Sequence, residues 1–590
     1  MTDPVQSPAR LPAWAHSLLA VLCLLPPVAL ALLLRRSAVN VPYWDEWDDD
    51  IAGLFLKWHA GVLTFGDFWA QHTESRLVLP HAIFLLLGNL SHWNLCWEMA
   101  GTFLLAVGAA TMIFWLGRKT LSQQPLTAWL AGCLASVLIF SPTQYQAWLW
   151  GLELILYLPL VCLLASLLVW QTRWPQRTRF LACGALAIIS TYSFSNGLLA
   201  WIALFPILFL AGGLVGLRQQ RRAALLWLMA FLANVALYFQ DYQFPATAGL
   251  WAVLRARPFA VVEYLLTFLG CPLVNQPDSA AVTSGCLLGG VQLALFAVVA
   301  LMVFRARKNP GLMARVWPWL TLGGYGILSA LLATVGRAAG GPAQALSPRY
   351  GIFGVCLTVS LIYLVPRVLL NTPALSTARR RVALAFLAAL VLTLHALAVP
   401  AAVMNMTIAG LDRQLAKSSL RFLSVLPPQT ATELYLCPNQ AWAKLMAQAL
   451  AQAGVWSFSL HPTRRLADFN PALAPADPIG SIEYAQVHGP DLLLFGWALA
   501  PSRRVAADAV VFTCEGPGVE PQIFGLIDQR LMRGDLAERL GNPAARFAGW
   551  QKKCPLTDLP HGALTLKAWA YEVETGQVTR LTGEARLDHR

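Results

Sequence analysis

Repeated apolar runs long enough to cross a lipid bilayer are the feature that most restricts what this chain can fold into. The first extends from Trp14 to Leu34, and a helix needs about 20 mostly apolar residues to cross the hydrocarbon core. Backbone N–H and C=O groups cannot stay unpaired in hydrocarbon, so each run is expected to be helical. A soluble chain of 590 residues would rarely be 57% hydrophobic. We therefore expect a mainly α, polytopic transmembrane bundle.

The apolar runs predict eleven transmembrane helices. The first is longer than the core of a signal peptide and is followed by no small-residue cleavage site, so we expect it to be retained. The predicted helices are 14–34, 95–117, 125–141, 149–170, 179–193, 197–215, 223–239, 284–304, 316–335, 350–370 and 382–404.

Basic residues alternate between the loops that join these helices, and the positive-inside rule makes the basic side cytoplasmic. Arg118 and Lys119 mark that side, together with the arginine-rich loops near 177, 221, 307 and 380. The formal charge of +13 then follows from membrane topology, and we expect no nucleic-acid partner. The predicted external segments are 35–94, 142–148, 194–196, 240–283, 336–349 and the tail after 404.

The tail differs in composition from the membrane part, so the sequence predicts three regions. Residues 1–404 form a transmembrane domain, and residues 405–474 an external α/β connecting segment in which a strand and an alanine-rich helix occupy 433–455. Residues 475–590 contain short alternating runs between Gly and Pro turns, which predict an external β-sandwich-like domain. The first external loop, 35–94, is rich in tryptophan, and segments 48–61 and 76–90 are predicted to be interfacial helices.

An acidic cluster opens the first external loop, in the run VPYWDEWDDD, and sets five carboxylates within six positions of a chain that is only 12% charged. A hydroxyl nucleophile attacking a sugar needs a carboxylate to accept its proton, and an apolar surrounding raises carboxylate basicity. A solvated acidic loop with tryptophan anchors is the alternative interpretation. A divalent cation is conceivable here, but clustering alone defines no coordination sphere. The carboxylates are Asp45, Glu46, Asp48, Asp49 and Asp50.

Polar residues also recur in the other predicted external segments. The run QHTESR holds His72, Glu74 and Arg76, and an arginine there can bind phosphate or cap a helix near the headgroups. Arg337 and Arg349 lie in an external loop, where the positive-inside rule does not favour them, and they suit a polyprenyl phosphate or diphosphate leaving group. Headgroup snorkelling is the alternative. Two shorter turns add Gln146, Glu153 and Asn196, of which Asn196 fits a helix-start turn equally well.

This arrangement resembles the GT-C superfamily of integral membrane glycosyltransferases. Those enzymes place an acidic residue in the first external loop and use sugars linked to a polyprenyl phosphate. The resemblance covers about residues 1–404 and is closest to a set of poorly characterised bacterial multi-pass proteins. The motifs that carry it are VPYWDEWD, QHTESRLVLP, SPTQYQAWLWGLE, SFSNGLLAW and GRAAGGPAQALSPRY.

The resemblance implies Asp45 or Glu46 as the general base, with Asp45 placed first because it opens the run nearest the helix end. It also implies arginines near the phosphate. At 72–74 the relatives carry a more strongly polar stretch such as Asn-Glu-His, which leaves the roles of Thr73 and Ser75 open. The candidate substrate-binding residues are Asp48, His72, Glu74, Arg76, Gln146, Glu153, Asn196, Arg337, Arg349 and Tyr350.

Three functions remain open from the sequence. The first is transfer of a sugar from a polyprenyl phosphate to a lipid, glycan or protein acceptor on the periplasmic face of a bacterial inner membrane. The second is a transporter or flippase of a lipid-linked sugar, although no internal repeat supports it. The third is a non-catalytic envelope protein whose tail binds a partner. No GxxxxGK[ST], HExxH or GxSxG motif occurs, which disfavours ATP-driven transport and hydrolase chemistry.

Overall fold

The computed structural model describes residues 11–210, 213–244, 250–274, 279–307, 309–370, 376–427, 430–516 and 519–589. Contacts within the chain divide it into two units. The first unit comprises Met1–Ala38, Thr64–Leu87 and Cys96–Met406, and the second comprises Val39–Leu63, Gly88–Leu95 and Thr407–Arg590.

The described residues form twenty-one α-helices, and several short 3₁₀ turns lie between them. The helices are α1 (Ala13–Ser37), α2 (Ala52–His59), α3 (Phe65–Trp69), α4 (Val78–Ser91), α5 (Leu95–Thr120), α6 (Pro125–Ile139), α7 (Tyr145–Leu149), α8 (Leu154–Trp170), α9 (Gln176–Thr191), α10 (Leu199–Phe205), α11 (Gly213–Gln219), α12 (Arg221–Tyr238), α13 (Leu250–Ala256), α14 (Pro258–Gly270), α15 (Ser279–Arg305), α16 (Pro310–Arg337), α17 (Gly351–Leu369), α18 (Thr377–Arg421), α19 (Thr430–Tyr435), α20 (Gln440–Gln452) and α21 (Gly534–Arg539).

The predicted transmembrane helices are all present as helical segments, which confirms the mainly α, multi-pass architecture. Among the described residues, nine helices are long and apolar enough to cross a membrane. The predicted segments 179–193 and 197–215 correspond to helices that are too short to cross a membrane by themselves. The first is α9, of 16 residues, and the second is divided between α10, a π-helical turn at Pro206–Leu210 and α11.

Three local predictions were wrong. The segment 240–283 was expected to be an external loop, but it contains α13 and α14. Its apolar run is shorter than a bilayer span, so length alone did not identify it. The final helix was expected to end at 404 and continues to Arg421. The strand expected at the start of 433–455 is instead α19, followed by α20.

Glycine allows α14 and α15 to approach each other closely. A Cβ atom added to Gly289 would lie 1.8 Å from the carbonyl oxygen of Leu266, and one added to Gly270 would lie 2.0 Å from that of Gly285. The two backbones therefore touch, as small residues permit in membrane helix pairs. This packing fixes the position of α14, which carries one side of the site described below.

The second unit contains two antiparallel sheets that share one hydrophobic core. The first sheet has the order β10-β9-β5-β6, with β11 also paired to β9, and the second has the order β3-β4-β8-β7. Leu494 and Trp550 from one sheet and Val511 and Leu566 from the other are almost completely buried in the core, which confirms the β-sandwich-like character of the tail. The strands are β3 (Gly480–His488), β4 (Asp491–Ala498), β5 (Ala509–Gly516), β6 (Val519–Leu526), β7 (Gln529–Leu531), β8 (Gly549–Pro555), β9 (Gly562–Glu572), β10 (Gln577–Arg580) and β11 (Ala585–His589), after the short β1 (Gln71–His72) and β2 (Ser75–Arg76) of the first unit.

The start of the first external loop belongs to the second unit. The Trp47 indole N–H donates to the Pro42 carbonyl at 3.0 Å, and its own carbonyl accepts from the Trp442 indole at 2.8 Å. The Trp47 and Trp456 rings meet edge to face at 6.0 Å. Aromatic burial of this kind anchors the segment that carries the acidic cluster.

Candidate functional site

A short hairpin in the first unit presents Glu74. Strands β1 and β2 pair antiparallel, with His72 opposite Ser75, and Thr73 takes a left-handed backbone conformation with φ of 47°. The Tyr238 hydroxyl donates to the Glu74 carbonyl at 2.8 Å. The turn is therefore held by backbone contacts, which leaves the Glu74 carboxylate for other partners.

Tyr242 supports the same turn. Its hydroxyl donates to the Glu74 carbonyl at 3.2 Å. Burial raises the pKa of Tyr242, and the Glu74 carboxylate raises it further. The phenol consequently stays protonated at neutral pH and keeps its role as a hydrogen-bond donor.

Arg76 is buried, and its guanidinium donates hydrogen bonds to backbone carbonyls. Its Nε donates to the carbonyl of Tyr238 and its Nη1 to that of Trp69, both at 2.7 Å, and its Nη2 donates to that of Gln240. The guanidinium also lies 5.1 Å from the centroid of the Trp69 ring. This arrangement ties the hairpin to the segment after α12, so we assign Arg76 a positioning role rather than the phosphate contact suggested by the sequence.

Arg337, the last residue of α16, reaches the hairpin turn. Its Nη2 donates to the Glu74 Oε1, and its guanidinium carbon lies 5.2 Å from the centroid of the Tyr350 ring. About a third of each side chain in the Arg337–Glu74 pair remains exposed. A partly exposed ion pair contributes only about 0–1 kcal/mol, so an incoming anion can compete for the guanidinium.

Arg349 flanks the same tyrosine. Its guanidinium carbon lies 5.0 Å from the Tyr350 ring centroid and 5.3 Å from that of Trp150. Its Nη1 lies 3.8 Å from the Oε1 of Glu153. Glu153 is nearly buried, with 5% of its side chain exposed, whereas 24% of the Arg349 side chain is exposed. We call Glu74, Glu153, Arg337, Arg349 and Tyr350 the arginine–tyrosine cluster.

Tyr350 is the centre of this cluster. Only 6% of it is exposed, and its ring packs on Phe268 of α14 at a centroid distance of 6.0 Å. Within the described part of the chain, its buried hydroxyl has no hydrogen-bond partner. A buried hydroxyl without a partner costs about 1–3 kcal/mol, so this oxygen is available for a ligand.

Two polar residues near the cluster were missed from the sequence. The Tyr264 hydroxyl, on α14, donates to the Gln344 side-chain oxygen, and Tyr264 is fully buried. The sequence could have suggested Gln344, because it lies between the two predicted arginines. Tyr264 was hidden in a segment interpreted as a loop. The predicted Gln146 contacts the same loop by accepting from the Ser347 hydroxyl at 3.2 Å.

The remaining predicted residues of the first unit lie within its core. His72 is 4% exposed and Asn196 is 7% exposed. Asn196 lies in the 3₁₀ turn Ser195–Leu198 that begins α10, and the Ser195 amide donates to the Ser75 hydroxyl at 3.2 Å. This contact links the turn to the hairpin and is consistent with the helix-start interpretation of Asn196.

The acidic cluster lies in the second unit. Trp44–Trp47 form a 3₁₀ turn, and the Glu46 carboxylate accepts from the Tyr43 amide at 2.8 Å. Glu46 is 1% exposed, so it is part of the local structure. Asp45 is half-buried and Asp48 is exposed. Of the two candidate bases, Asp45 is therefore the more exposed residue.

The arginine–tyrosine cluster has the composition of an anion site. Two planar guanidinium groups border one aromatic ring, and arginine forks match the oxygens of a phosphate group. The two glutamates balance the two positive charges, which limits the cost of holding arginines near apolar helices. An approaching phosphate would gain charge-assisted hydrogen bonds from both arginines and a donor from the Tyr350 hydroxyl.

This chain has detectable similarity to solved structures. No protein-family model matches this chain, and no curated protein matches it. The chain is similar to ArnT from Cupriavidus metallidurans, solved bound to undecaprenyl phosphate, with 14% identity over 75% of this chain and 76% of ArnT and a TM-score of 0.36.

Proposed function

We propose that this protein is a membrane glycosyltransferase that moves a sugar from a polyprenyl phosphate to a lipid, glycan or protein acceptor. The observation that carries the proposal is the pair of arginines on the Tyr350 ring, with centroid distances of 5.2 Å and 5.0 Å. Both come from segments that border helices apolar enough to cross a membrane. A lipid-borne phosphate is the anion expected at such a place.

The leaving group explains why two arginines are needed. When the bond between the anomeric carbon and the phosphate oxygen breaks, the electron pair stays on that oxygen and the polyprenyl phosphate gains negative charge. Arg337 and Arg349 would stabilise that charge more strongly in the transition state than in the ground state, which lowers the barrier. The Tyr350 hydroxyl would donate a further hydrogen bond.

Asp45 is the proposed general base. The acceptor hydroxyl attacks the anomeric carbon, and its proton passes to the Asp45 carboxylate as the new C–O bond forms. Glu46 is less suited because its carboxylate already accepts the Tyr43 amide and is buried. No metal is required by this scheme.

The proposed setting is the inner membrane of a bacterium, with the acidic loop and the β-rich tail on the periplasmic side. The support is the alternation of basic loops, of which the Arg118–Lys119 end of α5 is one example. Lipids of the membrane and the polyprenyl-phosphate sugar are the expected partners.

The test uses purified full-length protein and undecaprenyl phosphate. Native mass spectrometry would measure retained lipid in wild type, Arg337→Gln and Arg349→Gln, with Arg118→Gln as the matched control at the predicted cytoplasmic end. Losing a charge-assisted hydrogen bond costs about 1.5–3 kcal/mol, so each site variant should bind roughly 10- to 100-fold more weakly. If all three variants bind undecaprenyl phosphate as tightly as wild type does, the proposed phosphate site is wrong.

The transfer step is tested separately with polyprenyl-phosphate sugars in proteoliposomes. Asp45→Asn should abolish formation of glycosylated acceptor while undecaprenyl phosphate is still bound. Glu46→Gln should retain chemistry but lower stability. Full transfer by Asp45→Asn would contradict the base assignment, and lipid-linked sugar crossing the bilayer without any transferred product would favour a flippase.

A further inference from the structure

The second unit contains a polar cavity. Its volume is about 450 Å³, within the range of small-molecule sites. It lies where the end of α18 meets the segment 461–470 and the turn before β10. Its polar lining includes Arg421, His461, Thr463, Asp468, Asn470 and Gln577.

The floor of the cavity is fixed by packing. The His461 amide donates to the Arg421 carbonyl at 2.7 Å, and a ring nitrogen of His461 lies 2.8 Å from the Tyr571 hydroxyl. The His461 ring also packs on Phe469 at a centroid distance of 4.8 Å. Phe469 is 5% exposed, so this side of the cavity is rigid.

The rim is formed by residues with special backbone conformations. Asn470 is left-handed, with φ of 47°, and Gly576 has φ of 72°. Asp468, Asn470 and Gln577 are all exposed at this rim. Inside, the Arg421 Nε is buried and has no hydrogen-bond partner among the residues that the structure describes. An unpaired buried donor beside a cavity points to a ligand that accepts a hydrogen bond.

The chemistry of the lining restricts that ligand. The lining holds one guanidinium, from Arg421, and one carboxylate, from Asp468. A single arginine offers a phosphate fewer charge-assisted hydrogen bonds than the two guanidinium groups around Tyr350 do. An apolar ligand would leave the side-chain amides, the Asp468 carboxylate and the Arg421 Nε without a hydrogen-bond partner. Sugar hydroxyl groups both donate and accept, which matches a lining that offers both, and a sugar C–H face fits the edge of the His461 and Phe469 rings.

We infer that this cavity binds a saccharide unit. Carboxamide and carboxylate side chains, Asn470 and Asp468, would hold neighbouring hydroxyl groups from one side. Gln577 would hold a further hydroxyl from the other, and Arg421 would donate to a ring or hydroxyl oxygen at the base. This binding site is independent of the proposed transfer reaction, because its residues contribute nothing to that chemistry.

Saturation-transfer NMR on the full-length protein in nanodiscs tests the inference. Nanodiscs replace maltoside detergents, which carry sugars themselves. The probes are methyl glycosides of glucose, galactose, mannose, rhamnose and N-acetylglucosamine at millimolar concentration. We expect saturation transfer to at least one of them from wild type.

Two variants and two controls locate the signal. Asn470→Gly keeps the left-handed backbone without strain and removes only the amide, and Gln577→Ala truncates an exposed side chain. Each should weaken binding roughly 3- to 10-fold, the effect of losing one hydrogen bond. Gln529→Ala, an exposed glutamine on the other sheet, and Arg118→Gln should bind as wild type does.

Two outcomes would overturn the inference. One is no saturation transfer to any of the glycosides. The other is binding that is unchanged in both Asn470→Gly and Gln577→Ala, because the sugar would then lie elsewhere. Neither outcome depends on transferase activity, so the proposed function would stand or fall on its own tests.

Discussion

Replacing Tyr350 by phenylalanine separates stability from ligand binding at the arginine–tyrosine cluster. The hydroxyl is buried and has no hydrogen-bond partner in the part of the chain that the structure describes, whereas the ring packs on Phe268 and borders both arginines. Tyr350→Phe keeps the ring and its contacts and removes only the oxygen.

The two expected effects have opposite signs. A buried hydroxyl without a partner costs about 1–3 kcal/mol, and its removal leaves only an oxygen-sized gap. Tyr350→Phe should therefore be as stable as wild type or more stable by up to about 1 kcal/mol. A hydrogen bond from the phenol to a charged phosphate contributes about 1.5–3 kcal/mol, so undecaprenyl phosphate should bind roughly 10- to 100-fold more weakly.

The assay pairs thermal unfolding with lipid titration on the same preparation. Tyr264→Phe is the matched control, because the Tyr264 hydroxyl already donates to Gln344. That variant leaves the Gln344 oxygen unpaired and should lose about 1 kcal/mol of stability, while phosphate-lipid binding should fall less than in Tyr350→Phe.

The reasoning is refuted by either of two results. If Tyr350→Phe unfolds at a clearly lower temperature than wild type, its hydroxyl has a partner in the native protein and is not held for a ligand. If it binds undecaprenyl phosphate as tightly as wild type, the cluster does not hold the lipid phosphate in the way proposed.

The remaining predictions concern acid stability, helix packing and thiol reactivity. Burial, helped by the nearby positive charge of Arg421, lowers the pKa of His461 to about 4. The neutral imidazole therefore contributes stability that is present above pH 6.5 and is lost as the pH falls towards 4. Allowing for partial exposure, we expect about 1–2 kcal/mol less stability at pH 5 than at pH 7, and a smaller loss in His461→Gln. Gly289→Ala should lower the free energy of unfolding by about 1–3 kcal/mol, because the added Cβ would collide with the Leu266 carbonyl. Gly290→Ala is the matched control, because an added Cβ there would meet nothing closer than 3.8 Å. Equal unfolding temperatures of the two alanine variants would contradict the close packing. Burial raises the pKa of Cys554 to about 11, so this thiol should resist maleimide at pH 7 and react after unfolding.

The sequence predicted the helical architecture well because membrane insertion is decided by local composition. A run of apolar residues must be helical wherever hydrocarbon surrounds it. The helix α14 was not predicted for the same reason, because its apolar run is shorter than a bilayer span. Its position depends instead on packing against α15 through Gly270 and Gly289.

For the candidate site, the sequence supplied residues but not their partners. Arg337 and Arg349 were chosen because arginines in an external loop run against the orientation rule. Their shared contact with Tyr350, and the pairing of each with a different glutamate, could not be predicted. Glu74 and Glu153 lie hundreds of positions away in the chain, and no local pattern specifies such pairs.

The sequence by itself determined that the chain is a helical membrane protein with a β-rich tail, and it marked charged residues that run against their surroundings. Only the tertiary structure decided which of them share a ring, which are occupied by backbone carbonyls, as Arg76 is, and which carboxylate is buried as a local cap. Composition acts within each segment, whereas ion pairs and ring contacts depend on which distant segments the packed helices bring together.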